Sequence, residues 1–542
     1  MSASDSHGRL AFYRGCGKSN DVTLDVDDLP TDPEALRGLL LTERAQHAAE
    51  MARIGSERDR LRAIIIALQR HRFGRRSERL DPDQLALALE DLEQSLAAAE
   101  AQEERAAPQE QSRPIRRRKI NRGALPAHLP RIEVVIDVAD RTCPCCAGEL
   151  HRIGEDVAQR LDVIPLQFRV LVIRRPKYAC RTCSGTVVQA PAQPRLIEGG
   201  LPTEALVAHV IVAKYADHCP LYRQAQIYAR QGIDLDRSTL ADWTGRGAWW
   251  LRPLHARILD ELRASPKLFA DETTAPVLDP GRGRTKTGQL WAYARDDRPW
   301  GGPAPPAVAY VYAPDRKAER PAAHLEGFRG VLQVGGYAGY RALAKSGQVQ
   351  LAFCWSHVRR QFYEIAAGGP APIATEALAR IAELYGIEAE IRGRSADQRR
   401  AIRQQRASPL VQSLKTWMEV KLAAVSQKGN LAEAIRYALS RWDGLSRFLD
   451  DGHIEIDSNI VERAIRPLAL NRKNSLFAGS DGGGEHWAIL ASLIETCKLN
   501  DVDPQAYLAD VFARLVEGHS INRLVELLPW NWSAEHQAQR AA

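Results

Sequence analysis

No unbroken apolar run in the 542 residues approaches the roughly 18 positions a membrane-spanning helix requires, which excludes an ordinary helical membrane protein. The segment Met1–Asn20 also lacks the apolar core of a secretory signal, so a cytoplasmic location is expected. Cysteine is sparse, nine in all, and in a reducing compartment these thiols predict metal sites rather than a disulfide framework. A single small module is excluded by length. At about 100 to 200 residues per domain the chain has room for three or four.

The charge balance is mildly basic, with 74 Lys and Arg against 67 Asp and Glu for a net +7, which suits a polyanionic partner without requiring one. Its distribution says more. Arg113, Arg116, Arg117, Arg118, Lys119 and Arg122 form one cluster, and Arg70, Arg72, Arg75, Arg76 and Arg79 form another. Both have the composition of phosphate-neutralising patches.

Composition and periodicity divide the chain. Residues 1–31 have no period and are expected to be a disordered tail. Within 32–102, Leu40, His47, Ile54, Leu61 and Leu68 recur at heptad spacing with Ile64 in a neighbouring seam position, which predicts a coiled coil. Asp81-Pro82 starts a second helix with the stripe Leu85, Leu89, Leu92 and Leu96; two helices packed within one chain fit the pattern equally well. Residues 103–126 read as a basic linker. Strand-like runs at 132–136 and 168–173 place a small β unit at 127–195. Residues 196–265 read as helical: Tyr222–Gly232, a turn, and a second helix capped by Ser238 have helix-turn-helix order, although a plain helical hairpin would look the same. Short strands at 267–270, 289–295, 307–313, 331–334 and 351–353 and a helix at 356–365 open the unit 266–500, which carries a helical insertion over about 373–445. A helical segment closes the chain at 501–542.

Two C-x-x-C pairs, Cys143/Cys146 and Cys180/Cys183, have the spacing of zinc-ribbon knuckles; four thiolates would close the zinc coordination and make it structural. The 33 residues from Ala147 to Ala179 are a long separation for a ribbon, and two unrelated thiol pairs remain the alternative. Cys145 is the expected bystander.

Asp271 follows the strand-like run 267–270, and Glu462 lies far downstream in a helical run, where it could simply pair with Arg466. Carboxylates from remote segments are what a two-metal phosphoryl-transfer site needs. An RNase H-like sheet presents acids at the ends of two neighbouring strands and on a late helix, and Asp271, position 335 and Glu462 fall in that order. In the run Phe353–Arg360, His357 could orient a phosphate or a water and Arg359 and Arg360 could contact DNA backbone; a capped helix with a solvated basic face fits the same residues. Gly479–Gly484 lacks the Lys-Ser/Thr ending of a P-loop and reads as a mobile loop beside the site.

Taken together, Arg72–Glu78, the paired C-x-x-C, Lys214–His218, Ala270–Thr273, Cys354–His357, Asn459–Pro467, Arg472–Asn474 and Leu527–Trp530 resemble transposases of the insertion sequence sixty-six family, the large TnpC-type protein. The resemblance runs from about residue 36 to 532. It implies a multidomain α+β protein with an N-terminal coiled coil, a zinc ribbon, a helix-turn-helix and an RNase H-like α/β catalytic domain of the DDE type with a helical insertion. It also implies nicking of transposon ends and strand transfer, with Asp271 and Glu462 as catalytic acids holding Mg²⁺ (or Mn²⁺), and structural Zn²⁺ on Cys143, Cys146, Cys180 and Cys183. Implied partners are DNA at transposon ends and target, a second copy through the coiled coil, and accessory transposition proteins, in a bacterial, nucleoid-associated setting. The family's middle acid, in Asp-Gly-Tyr, falls where this chain has Gly335-Gly336-Tyr337. A glycine offers no side-chain oxygen, so a catalytically inactive DNA-binding protein at transposon ends is the alternative, and an RNase H-like nuclease outside transposition is a third.

Overall fold

The structure, a computed structural model, describes residues 125–533 except 126, 128, 144, 165–166, 181–186, 280–283 and 346, together with scattered positions between 32 and 59. The tail 1–31, the heptad positions Leu40 to Leu68, the leucine stripe and both basic clusters lie outside the described residues. No helix among the described residues is long and apolar enough to cross a membrane.

A four-stranded sheet comes first. It contains β1 (Arg131–Val135), β2 (Leu150–Ile164), β3 (Gln167–Cys180) and β4 (Val187–Gln189), in the order β1-β3-β2 with β4 also on β3. β2 and β3 form one long antiparallel hairpin whose far end pairs Leu150 with Cys180. β3 runs well past the expected 168–173 because its arginines find partners across the sheet: Arg174 reaches Glu155 at 2.8 Å and Glu133 at 3.0 Å.

Helices follow: α1 (Glu204–Tyr215), α2 (Leu221–Ala229) and α3 (Arg237–Arg263). The helix, turn, helix order is present, but Asp236 caps α3, accepting from Ser238 N at 2.7 Å, and the expected cap Ser238 lies inside the helix. At 27 residues α3 is longer than a recognition helix alone would need, and it buries apolar side chains as far as Leu262. Its C-terminal end delivers the chain to the second sheet.

That sheet contains β5 (Lys267–Asp279), β6 (Arg284–Arg295), β7 (Ala307–Ala313), β8 (Gly330–Val334) and β9 (Val349–Phe353), ordered β7-β6-β5-β8-β9. The first three are antiparallel, and β8 and β9 run parallel to β5. One apolar core runs from the β2–β3 hairpin through α1–α3 into this sheet.

After β9 come α4 (Trp355–Ala367), α5 (Pro372–Ile391), α6 (Ser408–Ala424) and α7 (Asn430–Leu439), enclosing a second core. Two arginines are sealed inside it. Arg403 grips Glu388 through two bonds of 2.7 and 2.6 Å, and Arg399 meets Glu455 at 2.7 Å, so each buried charge has its counter-ion. The chain then returns to the sheet as α8 (Asn459–Ser475), α9 (Asp481–Leu499) and α10 (Pro504–Val516).

The glycine-rich segment is the start of α9 rather than a loop. Ser480 caps it, accepting from Gly483 N at 3.0 Å, and a β-carbon at Gly484 would stand 2.5 Å from the Tyr312 ring. Helix α9 also covers the free edge of β7. Its Ser492 and Thr496 hydroxyls accept from the backbone of Tyr310 and Val308 at 2.8 and 3.1 Å, which satisfies an edge that would otherwise be open to pairing.

Candidate active site

The parallel ladder between β5 and β8 ends with the pair Ala270 and Val334. Asp271 and Gly335 are the next residue on each strand, so they flank the same rim of the sheet. β5 does not stop at Asp271 as expected; it continues beside β6 to Asp279. The acid thus sits on rigid strand backbone at the point where one neighbour leaves.

Glu462 reaches this rim because its helix is tied to β8. Gln333, fully buried, donates through Nε2 to the carbonyls of Glu455 at 2.6 Å and Asp457 at 3.0 Å. Trp355 N bonds Ile456 O at 3.1 Å, fixing the same segment to the start of α4. α8 then begins at Asn459 with Glu462 in its first turn, where a carboxylate also suits the helix dipole.

Around Glu462 the structure gathers Ser458 Oγ at 3.4 Å, His357 Nδ1 at 3.5 Å, Arg360 at 3.9 Å and Cys354 Sγ at 3.9 Å. Arg466 is not among its ion-pair partners. One donor atom each from Cys354, His357 and Glu462 lies within 4.8 Å of the other two, close enough to share a cation. Arg359 instead leans over the Tyr363 ring at 5.8 Å.

Asp271 and Glu462 are near enough to feel each other. The Asp271 carboxyl is pushed up to about 7, mainly by burial, then by the negative charges of Glu272 and, more weakly, Glu462. Burial lowers His357, against the pull of Glu462 toward the charged form. Burial likewise pushes the Cys354 thiol up to about 11, although its sulfur accepts from Ser458 N at 3.2 Å.

Sequence reasoning did not single out Glu272 and Gln333. The Glu272 side chain is 3% exposed and bonds Arg316 and, at 3.0 Å, Tyr340 Oη, which hold the loop after β8. Its only mark in the sequence is adjacency to Asp271. At Gly335 the position expected to carry an acid is covered: a β-carbon there would lie 2.9 Å from both Cε1 and Nε2 of His357.

The thiol cluster forms at the other sheet. The pairing of Leu150 with Cys180 brings the end of β3 to the turn before β2, and Cys146 Sγ lies 3.6 Å from Cys180 Sγ. Cys143 joins them, its backbone N bonded to Gly148 O at 2.7 Å in a tight turn. Cys183 lies outside the described residues, and Cys145 is exposed. Three clustered soft donors suit zinc, whose site needs a fourth ligand.

A multidomain α/β protein with a three-cysteine cluster and a separate carboxylate-centred site is the class this geometry defines. Residues 199–486 match the family described as Transposase IS66 family, 492–530 the IS66 C-terminal element, 140–184 the zinc-finger binding domain of transposase IS66, and 60–134 the Transposase C of IS166 homeodomain. Relatives in Sinorhizobium fredii (strain NBRC 101917 / NGR234) include uncharacterized protein y4jD, 49% identical over 96% of this chain and 100% of its own length. Uncharacterized protein y4qI is 46% identical over 95% and 99%, and uncharacterized protein y4hP 39% identical over 86% and 87%. The chain belongs to the IS66 transposase family, and that family implies use of a divalent metal.

Proposed function

We propose that the chain is a DDE-type DNA transposase that nicks DNA at transposon ends and joins the freed 3′-hydroxyl to target DNA. The observation that carries the reading is the rim shared by Asp271 and position 335, with Glu462 brought against it by the Gln333 tether. The sheet order, three antiparallel strands followed by two parallel ones, supports an RNase H-like catalytic core.

Asp271 and Glu462 would hold the Mg²⁺ or Mn²⁺. Burial, then the charge of Glu272 and more weakly that of Glu462, holds a proton on Asp271 near neutral pH, and a divalent ion would relieve that crowding of acids. When bound, such ions polarise the scissile phosphate and lower the pKa of a nucleophilic water. The protein's own part is placement. Asp271 must give up its proton before it can act as a ligand, and Arg360, 60% exposed beside Glu462, is placed to neutralise a DNA phosphate. Cys143, Cys146, Cys180 and Cys183 would hold a structural Zn²⁺ that ties the β2–β3 hairpin. The coiled coil would pair two copies, α2 and the start of α3 would meet DNA, and accessory transposition proteins would complete the machinery.

Gly335 favours a second reading, a catalytically inactive protein that occupies transposon ends. Incubating the full chain with DNA carrying the ends of its own element, in Mg²⁺ or Mn²⁺, separates the two. Cleavage that leaves a 3′-hydroxyl and disappears in Asp271→Asn and Glu462→Gln supports the transposase. End-specific binding without cleavage supports the inactive binder.

A further inference from the structure

We propose that Cys354, His357 and Glu462 form a divalent-cation site of mixed sulfur, nitrogen and oxygen character on the rim beside Gly335. The inference rests on the metal-dependent reading of this rim and adds which cation the rim selects.

Four observations carry it. The donor atoms of these three residues already lie within 4.8 Å of one another. His357 Nδ1 faces Glu462 Oε1 at 3.5 Å, and that nitrogen is buried with no hydrogen-bond partner, which is the condition of a ligand atom lacking its ion. The other edge of the ring lies over Gly335, with Cε1 and Nε2 each 2.9 Å from where a β-carbon would be, so ring and side chain compete for one space. The glycine is also fixed: Tyr437 Oη donates to Gly335 O at 2.8 Å, and Gly336, at φ 140°, is held in a conformation suited to glycine. The missing side chain has therefore left a place on the rim that the imidazole fills.

The donor set decides the metal. Mg²⁺ wants an octahedron of hard oxygens and keeps its waters, whereas imidazole and thiol favour Mn²⁺, Co²⁺ or Zn²⁺ in rising order. An all-carboxylate rim would serve Mg²⁺. This rim, with one nitrogen and one sulfur beside Glu462, should bind Mn²⁺ roughly tenfold or more tightly than Mg²⁺.

Mn²⁺ is the suitable probe because it does not displace zinc from thiolate clusters. The full chain, with zinc in its cysteine cluster, is titrated with Mn²⁺ and with Mg²⁺, and the bound Mn²⁺ is examined by pulsed electron paramagnetic resonance for ¹⁴N coupling. The expected result is tighter Mn²⁺ binding with a directly coordinated nitrogen, lost in His357→Ala. If His357→Ala has lost its near-ultraviolet circular dichroism, Gly335→Asp gives the same test: its carboxylate should displace the ring, abolish the coupling and bring Mg²⁺ affinity up toward that of Mn²⁺. Mn²⁺ bound without nitrogen coupling, or a coupling that survives in both variants, overturns this inference alone. No Mn²⁺ bound at all overturns it together with the metal-dependent reading beneath it.

Discussion

Gln333 on β8 and Glu455, just ahead of α8, are joined by a reciprocal pair of bonds: the glutamine amide donates to Glu455 O at 2.6 Å and its carbonyl accepts from Glu455 N at 3.3 Å. The side chain acts as a short piece of sheet ladder, pairing a central strand with an irregular segment that has no strand partner. Through it the position of Glu462 is referred to the same backbone that carries Gly335.

Replacing Gln333 by Leu would leave the Glu455 amide and two backbone carbonyls without partners in a buried place. A loss of about 1–3 kcal/mol in urea unfolding is expected. Mn²⁺ affinity should fall as well, because Glu462 would no longer be held at the rim. Unchanged affinity with reduced stability would make the tether structural only.

Asp271 predicts a definite pH trend for the metal-free chain. Its carboxyl moves from 3.8 to about 7 on folding, so its contribution to stability is full below the unfolded value and is lost as pH rises through about 7. Asp271→Asn removes that loss and should raise the melting temperature at pH 8 relative to the parent, with little difference at pH 4. At 1.36 kcal/mol per unit the effect is on the order of 2–4 kcal/mol. Saturating Mn²⁺ should narrow or reverse the gap between the two proteins at pH 8, since only the parent can add the Asp271 carboxylate to the ion's ligands.

The thiol cluster predicts a metal count. Cys145→Ser should retain as much zinc as the parent by elemental analysis, while Cys146→Ser and Cys180→Ser should each lose one equivalent and loosen the β2–β3 hairpin, read as faster amide exchange. Retention of zinc by Cys180→Ser would remove that residue from the ligand set.

Within the helical insertion, Glu388 is the counter-ion of Arg403 and stands 3.5 Å from Arg399. Glu388→Ala would strand Arg403 in an apolar core and should cost about 3–5 kcal/mol in chemical unfolding. Because the second core carries α4 and with it His357, the variant should also weaken Mn²⁺ binding.

Parts of this architecture are legible in the sequence. The run Ala307–Ala313 coincides with β7, because unbroken small and aromatic residues with no internal breaker leave few other readings. β3 is longer than its sequence suggests, since Arg174, Arg175, Pro176 and Lys177 look like an ending unless the acids across the ladder are known. The first turn of α9 looks like a loop for a related reason: its Gly484 serves close packing on Tyr312, a contact invisible in one dimension. At the rim, strand and helix position point to Asp271 and Glu462 only together with the order of acids expected of an RNase H-like sheet. The contact of His357 with Gly335 and the reach of Gln333 to Glu455 could not, because each joins segments whose adjacency exists only after folding.

The central claim, that Asp271 and Glu462 meet around a divalent ion, is tested most directly by anomalous diffraction from crystals of the full chain soaked in Mn²⁺. A manganese peak within bonding distance of both carboxylates is the expected result. Manganese bound elsewhere, with those two side chains each facing protein or solvent instead, would contradict it.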